Sequence, residues 1–141
     1  MMTTSDFDRA VVFVLKWEGG YVNDPRDAGG ETKYGISKRA YPMLNIKELS
    51  VEDAKLIYEK DYWLKAGCNK LQWPLNLVHF DTAVNMGYGR ATELDSKTSD
   101  WRDYLMMRVG FYARIAEKNP MYLRGWINRV LELYKMAQSV S

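Results

Sequence analysis

The stretch Glu18-Gly-Gly-Tyr-Val-Asn-Asp-Pro-Arg-Asp27-Ala-Gly-Gly-Glu-Thr32-Lys-Tyr-Gly35-Ile-Ser37 decides how this chain reads. Its first eighteen positions hold five glycines and four acidic residues. It begins where a helical pattern stops. Phe7, Val11, Val14 and Leu15 recur at i, i+4, i+7 and i+8, and Glu18 continues their stripe. A carboxylate therefore ends an apolar face and is expected to point toward the protein body. Burial raises a carboxyl pKa, and the negative end of a helix dipole acts in the same direction. A glutamic acid kept protonated near neutral pH can serve as a general acid.

Before this stretch, residues 5–18 read as an amphipathic helix with Ser5 as N-cap and Asp6 and Asp8 in the first turn. Within it, Pro25 and the glycines forbid more helix. Tyr21-Val22 and Lys33-Tyr-Gly-Ile36 read as two short strands about a turn at Asp27-Ala-Gly-Gly30, a small hairpin.

Beyond it the pattern is helical. Ser50-Val-Glu-Asp53 is close to a capping box, with Asp in place of the usual Glu, and opens a helix through about Tyr62. Ala54, Ile57 and Tyr58 fall on one side of that helix. Pro74 suits a first helical position, and Leu75 to Met86 follows as the most buried helix, stopped by Gly87 and Gly89. Glu93 to Asp100 predicts a polar loop, Trp101 to Lys118 a long helix, and Gly125 to Ala137 the last helix after the break at Asn119-Pro120. The expected fold is mainly α, one domain with a small β-hairpin after the first helix. No repeat or linker interrupts it.

The 141 residues suit one core, and the net charge of +2 does not call for a nucleic-acid partner. Residues 1–89 carry 11 basic and 12 acidic side chains, and residues 90–141 carry 9 and 6. That mild basic excess could favour an anionic polymer, but so small an excess is more often ordinary solvated surface. One cysteine, Cys68, excludes an internal disulfide, and with one histidine, His79, a Cys/His zinc site is not credible. No metal or cofactor is expected. The N-terminal Met1-Met-Thr-Thr-Ser-Asp-Phe-Asp lacks a basic n-region and an apolar run, and no segment has transmembrane length. A chain made in the cytoplasm, without a signal peptide and without membrane insertion, is the expectation.

The acidic residues carry the chemistry. Asp27 lies nine residues after Glu18, and Thr32 five after that. A hairpin over 21–36 returns Asp27 and Thr32 toward the end of the first helix. An acid facing a second polar group across a cleft is what glycoside hydrolysis needs. Carboxyl separations of ~5–5.5 Å accompany retention and ~6.5–9.5 Å inversion. The bland alternatives are a solvated glutamate at a helix end and aspartates that bond their own turn. An EF-hand is disfavoured, since the acids at 24, 27 and 31 do not alternate, and no Gly-Lys-Ser/Thr follows to make a phosphate loop. Asp81 and Asn85, four apart on one helix face, can reach a cleft floor or else satisfy buried groups. Tyr21 and Tyr34 can stack on sugars or pack over the hairpin. Trp63, Trp73, Trp101 and Trp126 are expected in the core, His79 as a hydrogen-bonded core histidine, and Cys68 as an idle thiol.

The first block, from Glu18-Gly-Gly-Tyr through Asn23-Asp-Pro, Asp27-x-Gly-Gly and Thr32-Lys-Tyr-Gly-Ile36, resembles the signature of glycoside hydrolase family 108. The likeness continues in Ile57-Tyr-Glu-Lys-Asp-Tyr-Trp63, Phe80-Asp-Thr-Ala-Val-Asn-Met-Gly87 and Gly125-Trp-Ile-Asn-Arg-Val130, so it touches nearly the whole chain. It implies a lysozyme-like fold and an N-acetylmuramidase that cuts the β-1,4 bond between N-acetylmuramic acid and N-acetylglucosamine. Glu18 falls on the family's catalytic glutamate. The order glutamate, aspartate, threonine is similar to the site of phage-type lysozymes, where the aspartate and threonine hold the attacking water. Asp27 and Thr32 take those places, with an Asp-to-Thr spacing one residue shorter, and Asp24 competes for the second role. Residues 1–86 would form the catalytic part. Residues 87–141 would form a helical part that the family assigns to peptidoglycan binding, shortened here around Arg90 to Asp100. The implied setting is a monomeric phage endolysin acting on the wall in the periplasm, released by a holin-type pore, or a bacterial enzyme using a secretion system. A lytic transglycosylase using the same glutamate and a silent wall-binding protein are the rival expectations.

Overall fold

The computed structural model describes residues 5–26 and 28–139. The chain forms two compact units, Met1–Asp61 and Tyr62–Ser141.

In the first unit, helix α1 spans Asp6–Glu18. The Ser5 hydroxyl accepts the Asp8 amide at 3.1 Å, and Asp6 and Asp8 complement the positive helix end. Phe7, Ala10, Val11, Phe13 and Val14 are buried, so the apolar stripe faces inward as its spacing predicts. Gly19 ends the helix at φ +77°, where its amide donates to the Leu15 carbonyl at 3.2 Å.

An antiparallel sheet follows, ordered β1 (Val22–Asn23), β2 (Glu31–Lys33), β3 (Ile36–Ser37). Val22 pairs with Thr32 and Asn23 with Glu31, then Thr32 with Ser37 and Lys33 with Ile36. The expected hairpin is present, but Lys33-Tyr-Gly-Ile36 is not one strand. Tyr34 and Gly35 have φ of +53° and +81°, the positive values that a two-residue type I′ turn needs at both positions. The chain reverses there and adds a third strand, whose Ile36 is buried.

Helix α2 spans Val51–Tyr58 behind the capping box. The Asp53 amide donates to Ser50 Oγ at 3.0 Å, and the Ser50 amide donates to Asp53 Oδ2 at 3.3 Å. Ala54 and Tyr58 are buried, while Ile57 is half-buried. The α-helix ends at Tyr58, and Glu59–Leu64 continue as π-helix.

The second unit is built on α3, Leu75–Met86, in which every residue from Asn76 to Ala83 is buried. Pro74 is its N-cap rather than its first helical residue. Gly87, at φ +93°, ends α3 and at once caps α4, Tyr88–Asp95, so Gly89 lies inside a helix. The polar loop expected from Glu93 therefore begins only after Asp95. Buried Ala91 and Leu94 give α4 an inward face, and Glu93 pairs with Arg90 at 3.0 Å and Lys97 at 3.5 Å along the outer one.

Helix α5 runs Trp101–Ile115 with Asp100 as N-cap, shorter than expected by three residues, and α6 runs Leu123–Ala137. Only Trp63 of the four tryptophans expected in the core is buried; Trp73, Trp101 and Trp126 are half-buried. Their polar ring nitrogens and large area favour a partly exposed position. His79 is the hydrogen-bonded core histidine expected, with Nδ1 at 2.7 Å from the Tyr104 hydroxyl and Nε2 at 3.0 Å from the Ala66 carbonyl. The Ala66 carbonyl can only accept, so Nε2 donates to it, while the Tyr104 hydroxyl beside Nδ1 also lies 3.2 Å from the Ala91 carbonyl. No helix among the described residues is long and apolar enough to cross a membrane.

Candidate active site

Glu18 is the last residue of α1 and is half-buried. Two other elements of its unit meet it. The Tyr34–Gly35 turn packs against its stem so closely that a Cβ on Gly35 would lie 2.9 Å from both Cβ and Cγ of Glu18. The same Cβ would lie 2.4 Å from the hydroxyl of Tyr58 at the end of α2. That hydroxyl donates to the Tyr34 carbonyl at 2.6 Å, fixing the turn to the helix. Only glycine suits position 35, on grounds of both its φ and its neighbours.

Thr32 occupies the central strand, opposite Val22 on one side and Ser37 on the other. It lies one residue before Lys33, so its side chain faces the other side of the sheet from those of Glu31 and Lys33. On the Glu31 side, the Tyr21 hydroxyl donates to Glu31 Oε2 at 2.5 Å. This bond to a carboxylate raises the phenol's pKa, and Tyr21 is exposed. Tyr34 carries the Lys33 ammonium 5.5 Å from its ring centroid, while the Lys33 Nζ donates to the Lys47 carbonyl at 2.8 Å.

Asp24 is already engaged. Its Oδ1 accepts the Arg26 backbone amide at 2.9 Å and Nε at 3.1 Å, and its Oδ2 accepts Nη2 at 3.2 Å. The Arg26 hydrogen bonds hold this exposed carboxyl below its ordinary value. Asp27 lies outside the described residues.

The other two candidates belong to the second unit. Asp81 does not reach a surface: it is fully buried, with Oδ2 at 2.8 Å from Arg108 Nη1 and Oδ1 at 2.7 Å from Arg129 Nη2. Burial pushes its carboxyl up, but the two guanidinium groups outweigh that and hold it below the ordinary value. Asp81 is thus a counter-ion in the core, not a contact for substrate. Asn85, one turn on, is half-exposed, and its Oδ1 accepts from the Tyr112 hydroxyl.

The sequence alone gives no site role to Gly35, Tyr58, Arg108, Tyr112 or Arg129. Gly35 left a signal, a glycine after an aromatic residue between two strand-like runs. Arg129 left none, being 48 residues from its partner Asp81. Among the described residues no group of three or more His, Cys, Asp or Glu side chains is gathered to hold a metal. Cys68 is buried, and burial pushes its thiol up to about 12, so it is no nucleophile.

Comparison with known proteins identifies the family and the fold. The Glycosyl hydrolase 108 family matches residues 11–87, just over half of the chain, and so takes in Glu18, the sheet, α2 and α3. A solved structure described as that of Brucella abortus SagA superposes with a TM-score of 0.77 at 23% identity, covering 93% of this chain and 92% of the other. That likeness shows a shared fold, the lysozyme-like one. No curated protein gives a significant match. The chain belongs to the glycosyl hydrolase 108 family and is a glycoside hydrolase, a peptidoglycan hydrolase of the lysozyme type.

Proposed function

We propose that the enzyme is an N-acetylmuramidase in which Glu18 is the general acid. The observation that carries this reading is the close seating of Gly35 on the Glu18 stem, at the end of a helix and inside the matched family region. A catalytic acid has to be held within a fraction of an ångström of its leaving group. A glycine in a constrained turn, tied down by Tyr58, is a means of holding it.

In the reaction, the Glu18 proton passes to the glycosidic oxygen as the bond from that oxygen to the anomeric carbon of N-acetylmuramic acid breaks. Water forms the new bond to that carbon, and its proton passes to a second carboxylate. Asp27 with Thr32 takes that role in our reading. Asp24 is disfavoured because its oxygens already accept from Arg26. Thr32, central in the sheet, is a rigid point from which a hydroxyl can orient water. No cofactor enters these steps.

The biological setting we read is lysis of a host by a bacteriophage, the enzyme acting as a monomer on the periplasmic wall after a holin-type pore releases it. Expression in a bacterium with and without a co-expressed pore former tests the setting. Lysis only with the pore supports it, and lysis without one contradicts it. The reaction itself is tested by mass spectrometry of digests of purified sacculi. Reducing N-acetylmuramic acid ends are expected, and 1,6-anhydro ends mark a lytic transglycosylase instead.

A further inference from the structure

The facing sides of α4 and α5 hold a cleft that lies wholly within the second unit. Arg90, Glu93 and Leu94 of α4, with Lys97 just after it, fall at i, i+3, i+4 and i+7. Met107, Gly110, Phe111 and Arg114 of α5 repeat that spacing. Helical geometry puts each set on one face, and the two faces line a space of about 280 Å³. Buried Leu94 and half-buried Met107 and Phe111 make its apolar part. Gly110 leaves the wall open, since a Cβ there would meet nothing within 4 Å.

The rim is cationic. Glu93 is already matched: its Oε2 accepts from Arg90 Nη1 at 3.0 Å, and its Oε1 lies 3.5 Å from Lys97 Nζ. Three cations against one carboxylate leave two positive charges in excess around the cleft. Arg114 is exposed and forms no ion pair among the described residues. Its guanidinium carbon lies 5.9 Å from the Phe111 ring centroid, and that of Arg90 lies 4.2 Å from the same centroid. Attraction to the ring orders both guanidinium groups at the cleft and leaves the N–H fork of Arg114 to donate. With a guanidinium over it, the Phe111 ring is a poor platform for a sugar.

A ligand that fits is anionic, partly apolar and small, since the space falls just below the ~300–1,000 Å³ of small-molecule pockets. The hydroxyl and acetamido groups of the glycan carry no charge. The peptide stems of peptidoglycan carry free carboxylates beside the methyl groups of alanine. We infer that the α4–α5 cleft binds a stem carboxylate, with Arg114 donating to it and Leu94, Met107 and Phe111 against the adjoining methyl. The inference goes beyond the proposed cleavage chemistry and rests on peptidoglycan being the substrate. Stems recur along every strand, so the cleft adds affinity for the wall without sharing a glycan site with Glu18.

The test titrates the whole chain, labelled for NMR on methionine methyls and phenylalanine rings, with D-alanyl-D-alanine, its C-terminal amide and inorganic phosphate. The dipeptide should shift Met107 and Phe111 with a Kd on the order of 1–10 mM, the affinity of so few atoms. The amide should bind roughly 10-fold more weakly, the worth of one charge-assisted hydrogen bond, and phosphate should leave the Met107 methyl unmoved. Arg114→Gln should weaken dipeptide binding by about the same factor. Gly110→Leu should abolish it by filling the cleft, with no loss of melting temperature, because glycine is the poorer helix former. On sacculi both variants should raise KM roughly 3- to 10-fold at unchanged kcat, and on glycan strands stripped of stems by an amidase they should match wild type. The inference is overturned by the absence of Met107 and Phe111 shifts, by equal binding of dipeptide and amide, or by a Met107 shift from phosphate, which marks a general anion site. Wild-type dipeptide binding by Gly110→Leu, or a KM rise of equal size on stripped strands, overturns it as well. Failure of the dipeptide titration leaves the Glu18 chemistry standing, whereas wild-type turnover by Glu18→Gln sinks that acid and leaves the titration unaffected.

Discussion

A Cβ placed on Gly35 would lie 2.9 Å from both Cβ and Cγ of Glu18, so the turn between β2 and β3 rests directly on the side chain at the end of α1. The contact joins a backbone requirement to the seating of the proposed acid, and alanine at position 35 disturbs both. The positive φ costs about 1–2 kcal/mol for a residue with a Cβ. Relief of the clash must come from movement of Glu18 or Tyr58. Gly35→Ala should lower turnover on sacculi by on the order of 100-fold, the scale of an ångström's misplacement. Its melting temperature should fall by several degrees, at about 2–4 °C per kcal/mol. Turnover near the wild-type level would show that Glu18 need not be held there.

Asp81 anchors two arginines without reaching solvent. Asp81→Asn should cost about 3–5 kcal/mol in denaturant unfolding at neutral pH, because it leaves the guanidinium charges poorly matched. The folded carboxyl titrates below its ordinary 3.8, so its stabilising effect is complete above about that pH. It is lost as pH falls through the lower native value, and the gap between wild type and Asp81→Asn should narrow there.

His79 gives a second, milder window. Burial lowers its pKa from 6.5, so the unfolded chain takes up a proton first as pH falls. Stability from the neutral core imidazole is complete above about 6.5 and declines below it. Unfolding curves between pH 7.5 and 5 should show this decline in wild type, and a weaker one in His79→Gln. A curve that rises on acidification would contradict it.

The exposed pair of Asp24 and Arg26 should matter little. Asp24→Asn is expected to change turnover by less than about threefold, since exposed ion pairs contribute little. Asp27→Asn should reduce it by roughly 100-fold or more, the loss expected on removing a general base. Reversed outcomes would transfer the second catalytic role to Asp24.

Local pattern carried much of this in the sequence. The α1 stripe, its Ser5 cap, the Ser50/Asp53 capping box and the buried run of α3 each depend on residues a few positions apart. The third strand was hidden because positive φ at Tyr34, a residue that seldom adopts it, turns what reads as one strand into two. Helix α4 was hidden by charge: its polar outer face dominates the composition, and only Ala91 and Leu94 mark the inner one. The Asp81 cluster was illegible for a different reason. Asp81 on α3 takes its partners from two other helices, α5 and α6, and one carboxylate on a helix face looks the same whether it faces sugar or arginine. The half-buried place of Glu18 at the end of α1 was legible as the end of a stripe, but the glycine packed on its stem was visible only in three dimensions.

The central claim is that Glu18 gives up the proton that cleaves the glycan. Purified sacculi should be incubated with wild type and Glu18→Gln, both shown to be folded, and the release of reducing ends followed. The account predicts a fall of about 100- to 10,000-fold for Glu18→Gln, the range for loss of a positioned general acid, with binding to sacculi retained. Release at the wild-type rate by Glu18→Gln would contradict it.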